Sequence, residues 1–259
     1  MTRRVPVPAP GPAPGVQSVD RALDLLQALA ADGPLGLSEA AAGAGLAEGT
    51  AHRLLRTLLV RGYVRQDSER RYAPGTRLLG LGDGARRAVA DASRPFLSRL
   101  VELSGETANL AVLEGDQVVY VAQVPSAQRL RLFAEVGRRV SAHSTAVGKV
   151  LLTGLGTEAV TALLRRTGLP RRTPRTLTTE AAVLAAVRAA ATAGWAVDDE
   201  EEESGVRCLA VPVLAGDRVV AAMSVSGPST RVAARPPPDL VDGLRSAAAD
   251  FATALAPVG

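Results

Sequence analysis

Along the first third of the chain the apolar positions fall at helical spacing. Val19, Ala22, Leu23, Leu25, Leu26 and Leu29 recur at i, i+3, i+4 and i+7, with Ser18 placed as an N-cap and Asp32-Gly33-Pro34 as the stop. A short helix is predicted from about Ser38 to Ala44, broken at Gly45. A longer one follows from Glu48 to Arg61, closed by Gly62 at the C′ position. Tyr63–Gln66 and Arg71–Ala73 flank the polar turn Asp67-Ser68-Glu69-Arg70 and predict a small β-hairpin. Three helices and a hairpin make a winged helix-turn-helix.

Helical spacing returns from about Thr76 to Ser104, with Gly82 and Gly84 predicted as a hinge between two segments. Beyond Gly105 the period shortens to two. Ala108–Leu113 and Gln117–Val124 flank Gly115-Asp116 as a hairpin, and Leu130–Ala134 and Arg138–Ser141 are weaker strands. Helices are predicted over about 145–154, 157–167, 180–193 and 239–256. Trp195–Asp198, Cys208–Leu214 and Val219–Ser226 are further strands, the last two joined at Gly216-Asp217. Strands and helices mix without βαβ alternation, so the second part is expected to be an α+β domain on an antiparallel sheet. Residues 1–15 are low-complexity Pro/Ala and read as an extended, disordered arm.

Composition narrows the classes. At 259 residues the chain has room for one or two domains and buries a core without staples. Its single cysteine, Cys208, excludes an intramolecular disulfide and every multi-cysteine zinc module, and suits a reducing cytoplasm. No apolar run reaches the roughly 18 residues of a membrane span, and Arg3-Arg4 run straight into prolines with no signal-peptide core behind them. The charge is unevenly spread. Residues 1–87 carry 12 Arg against 8 Asp and Glu, while 88–259 balance at 18 of each sign. The whole net charge of +4 thus sits in the first third and points to a polyanionic partner there.

The segment from Leu37 to Leu55 carries the spacing of a helix-turn-helix. Ala41 is small where two helices cross, Gly45 permits the turn, and Ala40, Ala44, Leu46, Ala51 and Leu54 take packing positions. That leaves Glu48, Gly49, Thr50, His52, Arg53 and Arg56 exposed on the second helix, whose N-terminal residues would enter a major groove. Arg53 can pair bidentately with guanine, and Thr50 and His52 can reach a base or a phosphate. Arg56, Arg65, Arg70 and Arg71 are placed for phosphates, at the helix end and on the wing. The bland alternative is an alanine-rich helical hairpin with a solvated arginine face. The adjoining hairpin and the charge imbalance favour double-stranded DNA over it.

The chain resembles the IclR family of bacterial transcriptional regulators. The segments that carry the resemblance are SVDRALDLL, GTAHRLLRTL, RGYVRQD and YAPGTRLLGLG, then GETANLAVL, VGRRVSAHSTAVGKVLL, AGWAVDDEE, GVRCLAVPV and AAMSVSGP, in the family's order. The resemblance implies a winged helix-turn-helix over 16–75, a linker helix over 76–90, and a GAF-like effector-binding and oligomerisation domain over 91–259. It also implies a homodimer or dimer of dimers that represses a catabolic operon in response to a small effector, a carboxylate or a polyol. No cofactor or metal is expected.

Carried over position by position, the family's effector pocket falls on Ala146, Val147, Asp198, Val206, Cys208, Ser224 and Ser226. Amides at a helix start attract an anion, and Ser224 and Ser226 share one face of a strand. His143 either lines the pocket entrance or pins its loop. Two features depart from the family pattern: Ser141-Ala142 replace the proline and bulky apolar residue before the histidine, and the acidic run Asp198–Glu203 is longer than usual. LAEGTAHRLLRTL and HSTAVGKVL are similar to the branch that controls glycerol catabolism in actinomycetes.

Three readings compete with this one. In one the protein activates rather than represses, and in another its C-terminal domain serves only to oligomerise. The third is a cysteine-dependent hydrolase built on Cys208, His143 and Asp198. The sequence disfavours it, because Cys208 lies mid-strand in RCLAV rather than at a helix N-terminus that would lower its pKa.

Overall fold

The structure is a computed structural model and describes residues 16–128 and 135–256. The Pro/Ala arm and the expected strand Leu130–Ala134 lie outside the described residues. Two compact units emerge, one ending at Ala85 and one beginning at Arg86.

In the first unit, α1 (Gln17–Asp32), α2 (Leu37–Gly43) and α3 (Glu48–Val60) precede a hairpin of β1 (Val64–Gln66) and β2 (Tyr72–Pro74). Leu25 and Leu29 of α1, Ala40 and Ala41 of α2, and Ala51, Leu55 and Leu58 of α3 form one buried core with Val64 and Tyr72. Alanine at the crossing of α2 and α3 lets the backbones approach. Ala44, Leu46 and Leu54 pack at the margin of this core, half-buried. The α1 start differs from expectation. Val16 is the N-cap residue and its carbonyl accepts from the amides of Val19 and Asp20, so Ser18 lies inside the first turn and caps nothing. At the end of α3 the backbone reverses at Gly62, with φ 76°, a conformation that side-chain-bearing residues rarely adopt.

Helix α4 runs unbroken from Arg77 to Ser104, through Gly82, Gly84 and Pro95. The expected break at the glycines is corrected. A glycine costs about 1 kcal/mol in a helix but does not forbid it, and neither Gly82 nor Gly84 has a positive φ.

The second unit is built on a six-stranded sheet in the order β5-β4-β3-β8-β7-β6, antiparallel at every pairing. Its strands are β3 (Thr107–Glu114), β4 (Gln117–Val124), β5 (Arg139–Ser141), β6 (Ala196–Asp199), β7 (Val206–Ala215) and β8 (Arg218–Pro228). One face, with Leu110, Leu209, Val211, Met223 and Val225, packs on α8 (Pro238–Leu255) and on the C-terminal half of α4. The other face carries Ala111, Tyr120, Ala210 and Ala222 beneath α5 (Ala146–Leu152), α6 (Thr157–Thr167) and α7 (Glu180–Ala193). Toward one end of this second face the apolar residues give way to polar ones. That change places the site.

Candidate functional site

On α3 the side chains of Glu48, His52, Arg53 and Arg56 are exposed beside Gly49, while Thr50 is half-buried. Ala51, Leu55 and Leu58 face inward, so helical geometry turns the charged residues to solvent on the opposite side. Arg53, Arg56, Arg65 and Arg70 have no ion-pair partner among the described residues. Arg71 does. Its Nε donates to Asp67 Oδ2 at 3.2 Å, and its guanidinium pairs with Glu69 at 3.1 Å.

Asp67 organises the tip of the hairpin. Its Oδ1 accepts from the Arg71 amide at 2.8 Å and the Glu69 amide at 3.0 Å, and the Arg71 amide is the main reason its carboxyl sits below the usual carboxylate range. Arg70 occupies the left-handed position of this turn, φ 62°, and its side chain is exposed. Arg71 therefore serves the turn, and Arg70 at its tip and Arg65 on β1 are the wing's cations without an ion-pair partner among the described residues.

In the second unit, a row of polar side chains crosses five strands. Gln123 of β4 donates from Nε2 to Asn109 Oδ1 at 3.0 Å, and Asn109 Nδ2 donates to Ser224 Oγ at 3.4 Å and to Ser226 Oγ at 3.2 Å. Register then sets Cys208 opposite Ser226 and Asp198 opposite Cys208. Ser226, Cys208, Asp198 and Val206 line a narrow cleft of about 50 Å³, together with Tyr120, Arg138, Val140, Thr145, Glu202 and Glu203. Four of the seven carried-over positions thus meet in one cavity. Ser224 is buried behind it, held by Asn109. Ala146 and Val147 are buried in the first turn of α5, next to the lining residue Thr145.

The segment HSTAVGK is explained residue by residue. Thr145 caps α5, accepting from the Gly148 amide at 3.1 Å and donating to Ser141 O at 3.1 Å. Gly148 packs so close to residue 142 that an added Cβ would lie 2.2 Å from Ala142 O. Lys149, buried, donates to Val197 O at 2.9 Å and forms an ion pair with Glu201. His143 Nε2–H donates to Pro170 O at 3.2 Å, and burial lowers its pKa. Of the two roles open to it, His143 pins the loop and is not among the lining residues.

The acidic run is a built structure. Asp198 Oδ1 accepts from the amides of Glu201 at 2.7 Å and Glu202 at 3.4 Å. Thr173 and Thr176 donate to the carbonyls of Glu200 and Glu201, each at 2.6 Å, and Ser144 Oγ donates to Glu202 Oε2 at 2.5 Å. Burial pushes the Asp198 carboxyl up to about 7, opposed by the two amides. Burial also raises the Cys208 thiol and the Tyr120 hydroxyl, so both remain protonated at neutral pH. A neutral thiol on a strand is a wall, not a nucleophile. Asn109, Tyr120 and Arg138 are absent from the sequence reading, because nothing local announces which strands lie beside one another, and Glu202 and Glu203 enter it only as part of the acidic run Asp198–Glu203.

A family model for the IclR helix-turn-helix domain matches residues 18–68, and one for the bacterial transcriptional regulator IclR C-terminal domain matches residues 85–253. The chain belongs to the IclR family. The transcriptional repressor IclR of Escherichia coli (strain K12) is 37% identical over 237 residues, covering 88% of this chain and 86% of that protein. RHA06195 of Rhodococcus sp. RHA1 has a similar structure, with TM-score 0.65 and 32% identity over 95% of this chain and 100% of that one. An IclR homologue from Microbacterium hydrocarbonoxydans, complexed with 4-hydroxybenzoate, has TM-score 0.61 and 25% identity over 92% and 98% of the two chains. This IclR-type protein is therefore a DNA-binding transcriptional regulator, and its family is one of regulators rather than enzymes. Among the described residues no helix is long and apolar enough to cross a membrane.

Proposed function

We propose that this regulator is a cytoplasmic repressor of a catabolic operon, whose operator affinity changes when a small metabolite fills the cleft at Asp198, Cys208 and Ser226. The observation that carries the reading is the polar row across β4, β3, β8, β7 and β6, which ends in a cavity walled partly by residues outside the core. Repression is supported by the E. coli relative, which is named a repressor. An effector is supported by the Microbacterium homologue, which is complexed with a small molecule. Residues 16–75 are the DNA-reading domain, 76–90 the linker helix, and 91–259 the effector-binding domain.

Glu48, Thr50, His52 and Arg53 are assigned to base edges and nearby phosphates, and Arg56, Arg65 and Arg70 to the phosphate backbone. Arg71 supports the wing that presents Arg70. A homodimer is required to read two half-sites one helical turn apart. The support for a second copy is an apolar groove lined by Val19, Leu23, Leu26, Leu54, Leu78 and Leu81, with Val19, Leu23 and Leu81 half or more exposed.

The test is selection of operator fragments from genomic DNA with the full chain, followed by binding titrations. Recovered sites with two-fold symmetry, weakened by Arg53→Ala, are expected. Recovery of no preferred sequence would contradict the reading. The likeness to regulators of glycerol catabolism supplies one arm, in which glycerol is added to the titration.

A further inference from the structure

We propose that the cleft selects a small ligand carrying an ammonium or similar cationic N–H group, with Asp198 and Glu202 as its acceptors, over a carboxylate of the same size. This rests on the reading of the cleft as the effector site and names the chemistry that site takes.

Three carboxylates, Asp198, Glu202 and Glu203, line the cavity against one guanidinium, that of Arg138. The cations of the next layer are already committed. Lys149 is paired with Glu201, and Arg175 and Arg207 with Asp199. His143 is held neutral by burial. An entering anion therefore meets an excess of negative charge with no second cation to answer it, in a partly desolvated space where charges act strongly. Asp198 supplies the independent pointer. It is 1% exposed, it lines the cavity, and its Oδ1 is taken by two amides while Oδ2 meets no hydrogen-bond donor among the described residues. A carboxylate oxygen without a donor, on a buried residue that lines a cavity, wants one. Glu202 Oε2 accepts from Ser144 Oγ. The remaining groups, Thr145, Ser226, Tyr120 and the Cys208 thiol, are neutral and suit a short polar body. A volume of about 50 Å³ suits a short ligand.

Charge also sets a pH signature. The charged groups around Asp198 are Lys149 from α5, Glu201 and Glu202 from the loop after β6, and Glu203 and Arg138 on the same cleft, while the Cys208 thiol and Tyr120 hydroxyl beside it stay neutral. Its carboxyl titrates at about 7, so an ammonium ligand binds about tenfold tighter at about pH 8 than at about pH 6, and a carboxylate binds more weakly.

The experiment uses the full chain and three matched probes, ethanolamine, ethylene glycol and glycolate, read by thermal shift and calorimetry at both pH values. Ethanolamine is expected to bind with at least tenfold preference over glycolate, more strongly at the higher pH. Asp198→Asn with Glu202→Gln should remove that preference. Cleft-filling Ser226→Leu and Val206→Phe should each abolish the binding. Two variants are used so that misfolding of one leaves the other informative. Glycolate binding better than ethanolamine, with loss in both filled variants, overturns the charge assignment and keeps the cleft. Ethanolamine binding that survives both filled variants overturns the cleft itself. No response to any of the three overturns the proposed ligand class.

Discussion

Lys149 and Glu201 form a buried ion pair that joins α5 to the loop after β6, with Lys149 Nζ also bonded to Val197 O. The two segments it joins carry Thr145 on one side of the cleft and Asp198 and Glu202 on the other. Glu201 Oε2 is buried with no hydrogen-bond partner among the described residues, so the pair depends on its one strong contact. Lys149→Met leaves that carboxylate without its cation and is expected to cost about 3–5 kcal/mol of unfolding free energy. Lys149→Met with Glu201→Gln should recover most of the loss. Denaturant unfolding of both variants measures this, and a single variant as stable as the parent would show that the pair holds nothing.

Asp198 makes stability depend on pH in an unusual direction. Its folded pKa of about 7 lies above the ordinary aspartate value, so the folded chain holds a proton that the unfolded chain has released. The contribution is therefore full at low pH and is lost as pH rises from about 4 to about 7. Asp198→Asn keeps the acceptor for the amides of Glu201 and Glu202 and removes the charge. Its melting temperature should gain on the parent as pH rises through this window. A gain that is the same at every pH would contradict the assignment.

The two arginine classes on the first unit separate by salt. Arg53→Ala on α3 should cost about 1–3 kcal/mol of operator binding and relax preference at one base pair per half-site. Arg70→Ala on the wing should weaken all sequences alike and reduce the salt slope by about one. Arg71→Ala loosens the Asp67 turn instead, so its loss should exceed that of one phosphate contact. Competition titrations across salt concentrations distinguish the three.

Much of this arrangement is legible in the chain. Gly45, Ala41 and the leucine spacing announce the helix-turn-helix, and the hairpin signals at Gly115-Asp116 and Gly216-Asp217 locate β3–β4 and β7–β8. Period two also places Ser224 and Ser226 on one face. It does not say that Asn109 lies beside them and bonds both, because the β3–β8 pairing joins residues more than a hundred apart. The unbroken α4 was hidden for a different reason. Glycine lowers helix propensity without fixing a break, and flanking helical residues decide the outcome.

That helix yields a direct prediction. An added Cβ at Gly82 or Gly84 meets nothing within 4 Å, so Gly82→Ala and Gly84→Ala should each stabilise by about 1 kcal/mol. Thermal unfolding followed by circular dichroism reads the gain. A loss of stability at either position would mean that the glycine is needed for a non-helical state.

The central claim is that occupancy of the cleft in the second unit alters DNA affinity set by the first. A ligand can do this only if it favours one arrangement of the chain over another. The most direct measurement is operator affinity of the parent and of Ser226→Leu, each with and without a metabolite that stabilises the parent in a thermal shift screen. The parent should change affinity at least fivefold on adding the metabolite, and the Ser226→Leu ratio should fall to about one. A Ser226→Leu protein that responds as the parent does would contradict the account.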